Sequence, residues 1–324
     1  MKALVTGGAG YIGGVVAHAL VDAGHEVVVV DDMSSGFIEN VPVGAVLHRQ
    51  SIHEIAEVLT PDAGFDAVVH LAGKIEVAES MSRPDIFWHT NVAGTTAILD
   101  AMRLARTPKL IFSSTGSLYA ANPDGGPISE DSPVAPTNPY AATKLSVDMM
   151  LAGECAAYGL AAVSLRYFNA AGAVGQLGER HDPESHLIPI VLQAAGGQRD
   201  ELFLYGDDYP TRDGTCIRDY IHVSDLATAH LLALDAIERG RHEVFNLGNG
   251  NGYTIKQVID VARQVSGRDI PVRVVDRRPG DFVVSVATSD KAHRMLGWKP
   301  ARPDLTDIIG DAWEFHRARY GIGR

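Results

Sequence analysis

The chain has 324 residues, 46% of them hydrophobic, enough for a large core and, by length, about two lobes. Its 28 basic against 40 acidic residues give a net charge of −12, which speaks against a nucleic-acid binder but leaves local arginines free to take an anionic small ligand. No apolar run reaches the ~18 residues of a membrane span, and the two cysteines, Cys155 and Cys216, form neither a CxxC pair nor a disulfide framework. The start, MKALVTGG, enters a strand at once and has no leader-like apolar stretch, so the expectation is a cytoplasmic protein in a reducing compartment.

In chain order, KALVT (2–6) reads as a buried strand, and VTGGAGYIGG leads from it into a helix over 11–23. EVVVVDD (26–32) and DAVVHLA (66–72) follow as strands, then a helical stretch over 85–106 and the strand KLIFSS (109–114). A helix over 140–158 and the strand AAVSLRY (161–167) complete this part. The strands are apolar, β-branched and bounded by glycine or polar residues, as buried parallel strands are. The alternation predicts an α/β fold, a doubly wound parallel sheet of the Rossmann kind, over residues 1–170. After Asn169 the texture changes. A long Gly-rich polar segment, NAAGAVGQLGERHDPESH, precedes a helical run near 187–196, strands near 201–205 and 243–247, and a helix near 254–266. Residues 171–324 are expected to form a smaller mixed α/β substrate lobe, some segments of which return to the first domain. A loop this long inside a compact chain is more often functional than idle.

The chemistry begins at the glycines. Gly7, Gly10 and Gly13 follow a strand and open a helix, where a tight turn lets backbone approach a pyrophosphate and free N–H groups meet it. Asp31, at the end of the next strand, is placed to take ribose hydroxyls. A carboxylate there repels a 2′-phosphate, so NAD is expected rather than NADP. Further on, Tyr140 and Lys144 share one helix face at i, i+4. A nearby ammonium lowers a phenol pKa and makes a general base for a sugar hydroxyl. The strand end LIFSSTGSLYA carries Ser113, Ser114, Thr115, Ser117 and Tyr119 ahead of that pair. The 13 histidines include His181 and His186, which lack the spacing of a helical zinc pair, and no acidic or cysteine partner cluster is apparent; no metal is expected.

Together the glycine loop, Asp31, the strand-end hydroxyls and the Tyr140/Lys144 pair resemble the extended short-chain dehydrogenase/reductases. LRYFNAAGA (165–173), HLIP (186–189), YGDDYPTRDGTCIRDYIHVSDLA (205–227), RRPGD (277–281) and LGWKP (296–300) narrow the resemblance to the UDP-glucose 4-epimerase family, across essentially the whole chain. That resemblance implies tightly bound NAD, a UDP-sugar substrate inverted at C4′ through a 4-keto intermediate, and a homodimer built from helices near 85–106 and 140–158.

The resemblance also implies roles for residues. Tyr140, Lys144 and Thr115 would be catalytic: base, tuner of that base, and hydroxyl partner of the 4′-oxygen. The cofactor would lie against Gly7, Gly10, Tyr11, Ile12, Gly13, Asp31 and Asp32. It would continue past Ser51, Ile52, Leu71, Ala72 and Gly73 to Asn91, Ser113, Tyr167 and the Tyr140/Lys144 pair. The UDP-sugar would be held by Asn169, His186, Leu187, Phe203, Tyr205 and Arg218, then Tyr220, Arg278, Asp281 and Ser285, with Thr115 and Tyr140 at the sugar. Ser113 and Ser114 would hydrogen-bond near nicotinamide or sugar; Ser117 and Tyr119 would be structural.

Departures from the family pattern are informative. Ser51 stands where relatives often carry an aspartate for the adenine amine, and Ile75 follows Lys74 where a lysine is often one residue later. Gly116 and Ser117 follow Thr115 where nucleotide-sugar 4,6-dehydratases need an Asp-Glu pair, which favours epimerisation over loss of water. Ser285 is small where some epimerases carry a tyrosine, which implies that N-acetylated UDP-sugars also enter.

Overall fold

The computed structural model describes residues 1–122, 125–278 and 280–323. Seven parallel strands form the central sheet: β1 (Lys2–Thr6), β2 (Glu26–Asp31), β3 (Val46–Arg49), β4 (Ala67–His70), β5 (Lys109–Thr115), β6 (Ala161–Tyr167) and β7 (His242–Leu247). Their order across the sheet is β7-β6-β5-β4-β1-β2-β3. From β1 the chain runs outward to β2 and β3 on one side and then crosses back to β4 on the other, so the crevice for a ligand opens beside β1 where the strand order reverses.

Alternation along the strands feeds two cores. Ala3, Val5, Val27, Val29, Val69 and Ile111 face one layer, packed on Val15, Val16 and Leu20 of α1 (Tyr11–Asp22) and on Leu226, Ala229 and Ala233 of a later helix, Val223–Ala236. Leu4, Val28, Val30, Val68, Leu110 and Phe112 face the other. There they meet Ile98, Leu99 and Met102 of α2 (Gly94–Ala105), and Val147, Leu151 and Cys155 of α3 (Pro139–Tyr158). Strands buried on both faces read as continuous apolar runs, which is why five of the seven were assigned to this sheet from the sequence.

Three differences from the sequence reading have physical causes. The expected helix over 85–106 is interrupted: Pro84–Phe87 is helical, Trp88–Ala93 is a π-helical turn, and α2 follows. The widened turn carries buried Asn91, whose amide accepts from Lys74 N (2.8 Å), donates to Lys74 O (3.0 Å) and donates to Thr143 Oγ1 (3.0 Å). The edge strand β3 was missed because VLHR is half-exposed and short. The strand near 243–247 was assigned to the second lobe; it is β7 and pairs with β6 from His242↔Ala162 to Leu247↔Tyr167.

The remaining elements build a third core, with Ile188, Val191 and Leu192 of α4 (Leu187–Ala195), Val258 and Ile259 of the helix Ile255–Ser266, and Ile308, Ile309 and Trp313 of the C-terminal helix. Small strand pairs join these layers: Leu202–Tyr205 with Val272–Val275, and Tyr220–His222 with Asn169–Ala171.

Candidate active site

The glycine loop is built so that no side chain fits. Gly7 has φ +74°, and a Cβ there would stand 2.6 Å from Ala72 N; a Cβ on Gly13 would stand 2.0 Å from the Gly7 carbonyl oxygen. α1 begins at Gly10 with no side-chain cap and no acidic residue in its first turn, so its N-terminal N–H groups and dipole are left for an anion. Asp31, at the end of β2, accepts from Ala9 N (3.0 Å) and Met33 N (2.9 Å). Burial pushes its carboxyl above the usual range, against those two backbone hydrogen bonds.

A cavity of about 550 Å³ opens over this loop. Of the expected cofactor residues it collects Gly7, Gly10, Tyr11, Ile12, Gly13, Asp31 and Asp32 at one end, and Leu71, Ala72, Gly73, Ser113, Tyr140 and Tyr167 toward the other. Ser51 and Ile52 also line it. The Ser51 hydroxyl accepts from His53 N at 3.2 Å in a capping box with Glu54, so its first task is to start a helical turn. Lys74 and Ile75 both border the cavity. Asn91 and Lys144 do not line it and stand behind the wall, Asn91 holding the 73–75 backbone as described.

At the far end Thr115 accepts from Ser117 N at 3.1 Å, and both its hydroxyl and Tyr140 line the cavity. Asn138 caps α3 through Ala141 N (2.9 Å) and Pro139 starts it, so Tyr140 enters the cavity from the first turn. Lys144, one turn on, donates from Nζ to Ser113 O at 2.8 Å and lies 6.0 Å from the Tyr140 ring centre. In the chain by itself the expected acidified phenol is not found. Tyr140 is partly exposed as a residue, yet desolvation of its phenol pushes the pKa up to about 12, outweighing the opposing influence of the nearby Thr115 hydroxyl. Lys144 is brought down to about 8, again chiefly by burial, with Asp148 opposing.

Ser113 hydrogen-bonds the Tyr167 hydroxyl beside the cavity. Ser114 does not face the ligand space as expected; it is fully buried and points to Asp148 at 3.4 Å, because successive strand residues alternate faces. Tyr119 is structural: its hydroxyl donates to Asn246 Oδ1 (2.7 Å) and accepts from Arg166 (2.9 Å).

A second cavity, about 280 Å³, collects Asn169, His186, Leu187, Phe203, Tyr205, Arg218, Tyr220, Arg278 and Asp281. Arg278 stacks over Tyr205, 3.8 Å from the ring centre. Arg218 pairs with Asp281 at 3.5 Å and donates to Phe282 O at 2.7 Å; its neighbour Asp219 is engaged elsewhere, by the N–H groups of Asn249, Gly250 and Ala287. Ser285 lines neither cavity. It is a strand residue in register with Arg218, so the argument from its small size does not reach the pocket wall. Asn169, Ala170, Glu179 and His186 border both cavities, which makes them one trench.

The sequence reading missed Glu179, Glu184 and Glu76. Glu76 accepts from Ser185 Oγ at 2.5 Å and is the negative charge that adds to the rise in the Tyr140 pKa. Glu179 and Glu184 close on His181 and His186, with the potential ligand atoms of all four within 4.8 Å of one another. The sequence expectation that no acidic partners join these histidines is therefore corrected; spacings of two and three residues in a loop gave no periodic signal. Glu179 is held down at about 2: burial would raise it, but the imidazoles of His181 and His186, 3.5 and 3.0 Å from its Oε1, prevail. His186 is raised to about 11 because Glu179 and Glu184 outweigh its desolvation.

A doubly wound Rossmann sheet with a glycine cradle and a Tyr-x-x-x-Lys pair at one strand end is the plan of the short-chain dehydrogenase/reductase-like enzymes. Residues 3–248 match the model of the NAD dependent epimerase/dehydratase family, and the chain belongs to that family. It is 50% identical over 318 residues to the UDP-glucose 4-epimerase of Corynebacterium glutamicum, covering 98% of this chain and 96% of the relative. It is 51% identical over 318 residues to that of Streptomyces lividans, covering 97% and 96%. Among solved structures, the UDP-glucose-4-epimerase of Stenotrophomonas maltophila, with bound NAD and formylated UDP-arabinopyranose, superposes with a TM-score of 0.94 at 37% identity over 100% of both chains.

Proposed function

We propose that this chain inverts C4′ of UDP-hexoses, interconverting UDP-glucose and UDP-galactose through a transient 4-keto sugar, with NAD retained throughout. The observation that carries the reading is the single trench. Its glycine cradle and Asp31 suit a dinucleotide, its Arg218 and Arg278 end suits a diphosphate, and Tyr140 with Thr115 stands between them. The glycine cradle and Asp31 would hold oxidised NAD, which would supply the hydride acceptor and a positive charge that favours the Tyr140 phenolate. Tyr140 takes the 4′-hydroxyl proton, Thr115 orients the oxygen, and buried Lys144 fixes the Ser113 strand end under both. After the ketone forms and the sugar turns, the Tyr140 phenol would return its proton to the 4′-oxygen as the opposite sugar face is reduced. The diphosphate must stay anchored while the sugar turns, which suits arginines at one end of the trench. Thr115 is followed by Gly116 and Ser117, so no carboxylate is present at this strand end to remove water.

The division into a cofactor domain, residues 1–170 with β7 added, and a substrate lobe over most of 171–324 is part of this proposal. So are a cytoplasmic setting and a homodimer. No helix among the described residues is long and apolar enough to cross a membrane, and Cys155 and Cys216 are free. Leu104 on α2 and Met149 and Tyr158 on α3 are exposed by 72%, 69% and 62%, an apolar surface that a second copy would cover.

The test is a substrate panel on the purified, NAD-loaded chain. Interconversion of UDP-glucose and UDP-galactose without net NADH is expected. Accumulation of NADH, or of a keto-sugar product, would replace the reading with a dehydrogenase or a dehydratase.

A further inference from the structure

Where the two cavities meet, the segment from Glu179 to His186 folds four candidate ligands onto one point. His186 Nδ1 lies 3.0 Å from Glu179 Oε1 and 3.0 Å from Glu184 Oε1, and His181 Nδ1 lies 3.5 Å from Glu179 Oε1. A tetrahedral zinc ion with bonds of about 2.0–2.1 Å spaces its ligand atoms about 3.4 Å apart; three contacts here are near that spacing, and the four candidate atoms lie within 4.8 Å of one another, so the side chains close in on the ion when it binds. The carboxylate side chains are 9% and 2% exposed, so two buried anions share the single close cation His186, and a dication balances them more completely. His181 Nδ1 is buried and lacks a hydrogen-bond partner; at 3.5 Å its approach to Glu179 is electrostatic contact only. An unsatisfied imidazole nitrogen facing a carboxylate oxygen is what a metal ion satisfies.

The surroundings are also organised for ligation. Glu184 is held by backbone donors, Ser185 N and His186 N to Oε1 at 2.9 Å each and His181 N to Oε2 at 3.3 Å. Such outer contacts orient first ligands and fix their geometry. Two imidazoles and two carboxylates suit zinc better than magnesium, which demands an octahedral oxygen shell.

We propose that Glu179, His181, Glu184 and His186 bind one zinc ion that clamps the Gly-rich segment after Asn169 to the start of α4. Two carboxylates neutralise the dication, and binding displaces the proton that His186 otherwise shares with them. With four protein ligands the ion has no open position, so its work is structural. It stiffens the wall shared by both cavities.

The test reads metal, not turnover, and therefore stands apart from the epimerase reading. The NAD-loaded full chain is stripped with a chelator, exposed to zinc chloride, dialysed and assayed for metal. One zinc per chain is expected. His181→Asn should weaken zinc binding at least ~30-fold while retaining NAD, whereas His53→Asn, which alters the stacked His53/His89 pair in the same cavity, should leave it unchanged. If His181→Asn fails to fold, cobalt(II) in the wild-type chain gives a second readout, the visible absorption of a four-coordinate nitrogen and oxygen site. No stoichiometric zinc in the wild type, equal zinc in wild type and His181→Asn, zinc lost in His53→Asn, or bound cobalt without the four-coordinate spectrum each overturns the proposal. The cluster is then a carboxylate–imidazolium ion pair.

Discussion

The Lys144 ammonium donates to the Ser113 carbonyl at 2.8 Å, and only its ring-centre distance of 6.0 Å connects it to Tyr140. The pair that the sequence presents as lysine tuning tyrosine is, in the folded chain, a lysine fastening the end of β5 beneath the tyrosine.

That arrangement sets a pH prediction. Burial raises the Tyr140 phenol from its ordinary value to about 12, so the folded chain keeps this proton to higher pH than a free tyrosine does. Cofactor charge opposes burial. Turnover, which needs the phenolate, should therefore rise with pH through the neutral range, with its inflection below about 12 in the NAD-loaded protein. Tyr140→Phe should cut turnover at least ~100-fold, abolish that rise and leave NAD bound. A pH–rate profile unchanged in Tyr140→Phe removes Tyr140 from the reaction.

Arg278 is exposed and stacks on Tyr205 at the substrate end of the trench. Arg278→Ala should raise KM for UDP-glucose about 10-fold or more while kcat stays within about 3-fold, the pattern of an interaction made equally in ground and transition states. Steady-state kinetics with both UDP-hexoses check it; an unchanged KM would place the diphosphate elsewhere.

Ser285 is a strand residue beside Arg218 and lines neither cavity. Ser285→Tyr should therefore leave the ratio of UDP-N-acetylglucosamine to UDP-glucose turnover within about 2-fold, since a residue outside the wall changes neither transition state. A selective collapse of the N-acetyl reaction would show that this strand does border the sugar.

The glycine loop offers a stability test. A Cβ at position 13 meets the Gly7 carbonyl oxygen at 2.0 Å, and that oxygen is backbone with nowhere to swing. Gly13→Ala should cost roughly 1–3 kcal/mol, the range of other overpacked sites, and strip NAD from the purified protein. Thermal melting and released-nucleotide absorbance measure both, and an unaffected melt with full NAD would refute the cradle.

How much was legible follows from which signals are local. β1, β2, β4, β5 and β6 are continuous apolar runs, and Gly7, Asp31 and Tyr140 sit at offsets fixed by one βα unit or one helical turn. β3 was lost because VLHR is half in water. β7 reads HEVFNL, a pattern that fits any half-buried strand; only long-range pairing decides its sheet. Glu179 and Glu184 were invisible for another reason. Irregular backbone brings them to the histidines, and no period in sequence encodes that approach. Ser114 failed on the simplest rule, alternation along a strand, which places it opposite Ser113 and Thr115.

Asp148 on α3 accepts from Arg166 on β6 at 2.8 and 3.0 Å, Arg166 reaches the Tyr119 hydroxyl, and Tyr119 leans on Asn246 of β7. The helix that carries Tyr140 and Lys144 is thus braced by a strand that leaves the ribosome some hundred residues after it. A nascent chain stopped near residue 170 holds every catalytic side chain yet exposes the β6 edge and leaves this brace unfinished. Synthesis order and assembly order diverge here. The catalytic helix is made early and locked late, when the seventh strand seals the sheet.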